Sequence, residues 1–465
     1  MSDPNSAFLD YYRCPETFAD FKPLAKDFTD AGFFRFGSEN ICFGPSSSGF
    51  WSKSASDLLH DTLQDVRFEQ AACLLPFNPT TVVENLRRER YVLPPSSSEK
   101  HGRWARWVRR AYYTARPPLP VSVRKFLQRA SLRGWDKIAF PQWPVDRTVD
   151  QIFETLLILT MKAKGVDRLP FIWFWPDGNS SCAIMTHDVE TAAGLKFCPA
   201  MMDLEDSCGI KSSFQIIPEK RYCVSESELS QFRNRGFEIN VHDLNHDGHL
   251  FSDRREFLGR AEKINRYARE YGARGFRSGA LYRNLDWYDA LDFSYDMSVP
   301  NVAQLDPQRG GCCTVFPYFI GKILELPLTT TQDYSLFHIL NDYSIDLWKR
   351  QIGLIRERHG LISFIVHPDY IISERARNTY LALLEHLSRV RADGKTWFAL
   401  PGEVDAWWRA RARMELVCED GNWVVRGRGS ERARVGFASL EGERVRYTVT
   451  PAQEPVQGNP ASECR

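Results

Sequence analysis

The feature that most constrains this chain is a change of texture between about residues 166 and 405, where short apolar runs alternate with amphipathic segments. Alternation of this kind is the sequence form of repeated β/α units, since each strand buries its apolar residues under a helix that keeps one polar face. Strands are predicted at Phe171–Trp175, Cys182–Thr186, Ser213–Ile217, Phe237–Val241, Gly275–Ser278, Ile323–Pro327, Leu361–His367 and Thr396–Ala399. Helices are predicted at Ser225–Arg235, Asp253–Tyr271, Ile345–His359 and Ser373–Ala392. The expected fold class is therefore α/β, a distorted (β/α) barrel over 166–410. Polar residues at the carboxyl ends of its strands stand where such barrels carry active sites.

The flanks read differently. Residues 1–165 form an N-terminal extension of α and irregular structure, rich in aromatics and in Pro and Ser clusters. Helices are expected within it at Ser56–Gln64 and Thr148–Ala163. After Trp408 the pattern turns strand-like, with runs at Met414–Cys418, Asn422–Gly427, Arg434–Ser439 and Arg444–Val449. Asp420-Gly421 and Glu441-Gly442 fall at hairpin-turn positions, so 411–450 is expected to be a small antiparallel β module. Residues 451–465 lack apolar content and are expected to be disordered. A chain of 465 residues exceeds what one core organises, which agrees with several domains. Its 60 basic and 59 acidic side chains almost cancel, so global charge gives no sign of a nucleic-acid partner. The 11 cysteines contain no CxxC pair, which indicates neither a disulfide framework nor a zinc ribbon. With no apolar leader at the amino terminus and no apolar stretch of about 18 to 20 residues, the expectation is a cytoplasmic protein.

Two carboxylates, Asp188 and Glu190, follow the strand ending near Thr186. Two imidazoles, His242 and His246, lie four residues apart just after another strand, where a single helical turn would align them. Two neutral imidazoles and one carboxylate are a common ligand set for a catalytic divalent metal, because three protein ligands leave a position open for water. Zinc is first among the candidates, with iron, cobalt and manganese also compatible. The third and fourth polar sites are Gly275-Phe276-Arg277-Ser278-Gly279-Ala280-Leu281-Tyr282 and Ile365-Val366-His367-Pro368-Asp369.

In this order the motifs resemble those of the polysaccharide deacetylases of carbohydrate esterase family 4, the nodulation-type deacetylase homology domain, across roughly residues 180 to 400. The resemblance implies that Asp188 is the general base, and that His242 and His246 are metal ligands. Val189 stands where the family has its ligand carboxylate, so Glu190 is the replacement, or Asp188 is itself the ligand. It further implies that Arg277 holds the catalytic Asp, that the Ala280 N–H helps stabilise an oxyanion and that His367 is the general acid. Asp333 is placed by position as the partner of His367, and Tyr282 is a candidate to line the sugar site. His187 and His249 carry no family role and are taken as structural or supporting.

The activity so implied is metal-dependent removal of an acetyl or acyl group from an N-acylated sugar or glycan intermediate. Alternatives are an amidohydrolase acting on a small cyclic amide, or a non-catalytic carbohydrate-binding protein on a deacetylase fold. Outside the resemblance, Lys100 to Arg133 holds ten Lys and Arg residues and no Asp or Glu, interleaved with Trp104, Trp107, Tyr112 and Tyr113. Such a segment suits an anionic membrane surface or a lipid-linked glycan. It also suits a solvated basic face packed on acidic segments of the same chain.

Overall fold

A computed structural model describes residues 2–92, 130 and 132–450. The basic segment from Lys100 lies almost wholly outside the described residues, as does the tail 451–465. Among the described residues no helix is long and apolar enough to cross a membrane. The described residues divide into two compact units, one drawn from residues 2–91, 147–181 and 406–450 and the other from residues 92, 130, 132–146 and 182–405.

The second unit is built on one curled, nine-stranded sheet. Its strands are β1 (Ser181–Val189), β2 (Ser213–Ile216), β3 (Glu238–His242), β4 (Gly275–Arg277), β5 (Tyr295–Asp296), β6 (Tyr318–Ile320), β7 (Ile323–Glu325), β8 (Leu361–Ile365) and β9 (Thr396–Phe398). They run in the order β6-β7-β5-β4-β3-β2-β1-β8, with β9 paired to β1. Every pairing along this path is parallel except the β6–β7 hairpin. The β/α alternation therefore yields the expected distorted barrel, left open as a curled sheet. All nine residues of β1 are buried, as befits a strand covered on both faces. At Gly275 a Cβ would come within 2.2 Å of the Tyr295 ring, so only glycine lets β4 lie this close to β5.

The helices α1 (Ala192–Ser207), α2 (Glu226–Asn234), α3 (Arg254–Glu270), α4 (Asp346–Arg356), α5 (Pro368–Ile371) and α6 (Glu374–Ala392) connect or follow the strands. Helix α2 begins at a reciprocal capping box between Ser225 and Glu228. Helix α3 is capped by Asp253 and buries Phe257, Ala261, Ile264 and Ala268 along a single stripe. Each large apolar side chain so buried contributes about 1.5–3 kcal/mol. Helix α1 follows directly on Asp188 and Glu190 and carries Pro199 within it.

The first unit differs from the expected division of the chain. The run beginning at Phe171 does not enter the barrel. It forms the strand Arg168–Ile172, which pairs antiparallel with Val435–Glu441. That strand in turn pairs with Arg444–Val449. The C-terminal strands thus share a sheet with a segment from the middle of the chain rather than closing a separate module, although Glu415–Glu419 and Asn422–Arg426 do form the expected hairpin. Thr148–Lys164 is helical as the periodicity predicts. Ser56–Gln64 is not: only Thr62–Asp65 forms a short 3-10 turn. Serine hydroxyls at Ser52 and Ser54 take up backbone N–H groups of Ser54 and Ser56, and Leu58 is fully exposed, so no apolar face holds a helix there.

Candidate active site

Alternation along β1 turns successive side chains to opposite faces, so Thr186 and Asp188 share a side that His187 does not. The Asp188 carboxylate is 4% exposed and receives Arg277 through Nη1 at 2.9 Å. The same Nη1 donates to Thr186 Oγ1 at 2.8 Å, and Arg277 Nε donates to the Met297 carbonyl at 2.9 Å. Arg277, wholly buried at the end of β4, is thereby locked in one pose. Burial disfavours the Asp188 charge, but Arg277 first, then His242 and His367, outweigh it and hold the carboxyl below its ordinary range.

His242 ends β3 and His246 follows in a loop. No helical turn aligns them. Asp243 and His246 adopt left-handed backbone angles (φ 56° and 53°), and this tight loop brings the two rings to 4.9 Å between centroids. The Asp243 N–H bonds the Arg277 carbonyl, and Arg221 Nη2 donates to the His246 carbonyl at 2.7 Å, which fixes both ends of the loop. His242 Nδ1 lies 3.1 Å from the Arg277 carbonyl. A carbonyl only accepts, so Nδ1 carries the hydrogen and Nε2 is left with its lone pair. Burial, partly offset by Asp188, lowers the His242 pKa and keeps that ring neutral.

Glu190 leaves β1 with its Oε1 3.0 Å from His246 Nε2 and 3.7 Å from His367 Nε2. Its contact with His246 is off the hydrogen-bonding direction, so Nε2 of both His242 and His246 is buried without a hydrogen-bond partner. Ligand atoms of Glu190, His242 and His246 all lie within 4.8 Å of one another, the one such His/Cys/Asp/Glu group among the described residues. Two buried, unpartnered imidazole nitrogens facing a carboxylate fit a divalent cation, which would satisfy all three donors at once. Against burial, Glu190 raises the pKa of His246, and His246 holds Glu190 well below the carboxylate range. A proton and a metal compete for that nitrogen. Val189, buried, contributes no donor, and Asp188 Oδ2 lies 3.8 Å from His242 Nε2.

His367 follows β8, and Asp333 accepts from both its backbone N–H (2.8 Å) and its Nδ1 (2.6 Å). Burial opposes the imidazolium, but Asp333 prevails and raises the His367 pKa to about 10. The sequence-based pairing of these two residues is thus matched by contact. Ala280 sits in the short turn Gly279–Leu281 with φ 54°, and among the described residues no acceptor takes its N–H. The turn abuts the imidazole loop: a Cβ on Gly279 would stand 2.4 Å from Asp243 Oδ2 and 3.1 Å from His246 Cδ2. Tyr282 is 7% exposed, which leaves little of its ring to line an open sugar site.

Three supporting residues were given no role from the sequence. Thr186 braces Arg277. Asp369 accepts from the Glu190 N–H at 3.1 Å and from the Thr191 hydroxyl. Arg221 clamps the His246 loop. Asp369 was in view beside His367-Pro368, whereas Arg221 lies in a loop with no motif to mark it.

No family model matches this chain, and no curated protein matches it. Solved structures similar to it include a protein from Mycobacterium smegmatis assigned as a polysaccharide deacetylase (TM-score 0.41, 17% identity, 52% of this chain and 94% of that one). The PuuE allantoinase is similar at TM-score 0.41 and 12% identity, over 51% of this chain and 92% of its own. The peptidoglycan deacetylase PdaC from Bacillus subtilis is similar at TM-score 0.33 and 11% identity, over 50% and 95%.

Proposed function

We propose that the protein is a metal-dependent hydrolase that removes an acetyl or acyl group from an N-acylated sugar or glycan intermediate. The observation that carries this reading is the convergence of Glu190, His242 and His246 on one point, flanked by a carboxylate held by Arg277 and an imidazole held by Asp333. A divalent metal held by those three ligands, zinc first among the candidates, would polarise the amide carbonyl and acidify water.

The chain's own groups then divide the proton work. Asp188, held below the ordinary carboxylate range and oriented through Oδ1, takes a proton from the attacking water. The free Ala280 N–H donates to the oxyanion that develops on the carbonyl oxygen. His367, protonated at neutral pH and oriented by Asp333, gives its Nε2 proton to the departing amine. The order of the motifs along the chain supports an N-acetylated sugar as the substrate.

The test is a metal titration of the purified protein combined with assays of acetate release from N-acetylated sugars and glycans. One metal per chain with acetate release is expected, and His242→Ala and His246→Ala should lose metal and turnover together. Turnover confined to small cyclic amides would displace the substrate class. A protein that binds glycan without metal or turnover would sink the enzymatic reading.

A further inference from the structure

We propose that His187 is a positioning residue that ties the strand end carrying Asp188 to the strand end carrying His367, so setting the gap between proton acceptor and proton donor. The proposal rests on the reading of the site given above. The β1–β8 ladder pairs Leu361 with Cys182 and proceeds to Ile365 with Thr186, and its last backbone bond runs from Val366 N–H to the Thr186 carbonyl at 3.0 Å. Beyond that point the two chains separate. β1 continues along β2, with Asp188 opposite Gln215, while β8 gives way to Pro368 and helix α5. The divergence leaves the Val366 carbonyl beyond the end of the ladder.

His187 fills that place. Its Nδ1 lies 2.8 Å from the Val366 oxygen, so a side chain one residue before Asp188 holds the carbonyl one residue before His367. The carbonyl only accepts, so Nδ1 carries the hydrogen. On the other side of the ring, Nε2 lies 2.8 Å from Glu205 Oε1 on α1. Glu205 is held in turn by Tyr380 of α6 at 2.8 Å and by Ser212 Oγ at 2.8 Å, just before β2. His187, Glu205, Ser212 and Tyr380 are all 0% exposed, and the Phe214 ring lies 4.9 Å from the imidazole. The ring therefore cannot swing away, and it transmits the position of two helices to the two strand ends. Loss of the tie frees the Val366 carbonyl and lets the His367 end drift. A shift of about 1 Å between reacting groups costs about 10²-fold in rate.

The test compares His187→Leu, which keeps bulk and removes the donor, with His187→Asn, whose amide can donate from near the Nδ1 position. His187→Leu is expected to lower kcat about 10²-fold with KM and metal stoichiometry unchanged, and to shift the ring ¹H–¹⁵N signals of His367. His187→Asn is expected to recover most of both. Parent-like kcat and His367 signals in His187→Leu, an equal loss in His187→Asn, or metal loss that accompanies the loss of rate would overturn the proposal. Should His187→Leu fail to fold, the parent protein decides: selective ¹⁵N-histidine spectra should show a His187 Nδ1–H protected from solvent exchange, and a freely exchanging one overturns the tie. That spectrum needs no turnover. A parent protein without deacylase activity would count against the functional reading while the spectrum still judges His187.

Discussion

Arg277 and Arg411 are both almost completely buried, one in each unit, and they are held in opposite ways. Arg277 faces a carboxylate: its Nη1 donates to Asp188 and to Thr186, its Nε donates to one carbonyl, and its Nη2 is buried without a hydrogen-bond partner. Arg411 reaches four backbone carbonyl oxygens, those of Tyr11, Tyr12, Ile172 and Trp173, and its guanidinium lies over the Phe174 and Trp408 rings. The first arrangement spends a buried charge on orienting a second charge, which is what acid–base chemistry requires. The second fastens together chain segments through backbone carbonyls, with no carboxylate hydrogen-bonded to it among the described residues, so it contributes stability. A buried arginine therefore marks chemistry only when its partner can itself react.

This contrast can be broken most directly at Asp188. Asp188→Asn should keep the fold and lower kcat about 10²- to 10⁴-fold, since an amide cannot serve as base. Parent-like turnover in steady-state assays would place Asp188 on the structural side of the comparison. A single substitution type then separates the two arginines. Arg277→Lys keeps the charge but loses the fork, and is expected to cost about 10²-fold in kcat with a small change in Tm. Arg411→Lys leaves carbonyls unpaired and should cost about 2 kcal/mol in denaturant unfolding with kcat of the folded protein unchanged. Identical behaviour of the two variants would dissolve the distinction.

Metal binding sharpens the picture on the carboxylate side. Glu190→Ala should weaken metal affinity by about tenfold or more, and by more than Asp188→Asn does, because Glu190 alone of the two faces His246 at 3.0 Å. The reverse ranking in metal titrations would assign the ligand role to Asp188. The smallest effect concerns Asp333. Without its carboxylate, burial acts unopposed and lowers the His367 pKa from about 10. Asp333→Asn should thus move the alkaline limb of the kcat–pH profile to lower pH and slow turnover at pH 7 by about tenfold. An unmoved limb would separate His367 from the protonation step.

Much of the site was legible because its chemistry is concentrated at strand ends, where polar residues interrupt apolar runs. Asp188, His242, Arg277 and His367 each lie at the end of such a run, and the seven strands of the curled sheet that were predicted start within one residue of their expected positions, although β1, β7 and β8 end two or three residues away. Local shape was less legible. The four-residue spacing of His242 and His246 reads as a helical turn, whereas two left-handed residues make a loop of it. Strand β5 has only two residues and offers no periodicity to detect. Least legible was the grouping of segments. Nothing local to Phe171 announces that its strand will pair with Val435–Glu441, because such pairing depends on residues remote in sequence.

That remote pairing has a consequence for the order of events during synthesis. Every strand of the curled sheet lies between Ser181 and Phe398, so a ribosome has delivered all of them before Val435–Glu441 emerges. The barrel can condense while the chain is still growing. The other unit must hold Arg168–Ile172 and Tyr11 in waiting, since Arg411 meets the Tyr11 carbonyl across 400 residues of sequence. Joining such distant segments is slow, because the closure entropy precedes the contacts that reward it. A nascent chain released early would therefore carry a formed curled sheet and an unpaired strand edge, the kind of surface that chaperones engage.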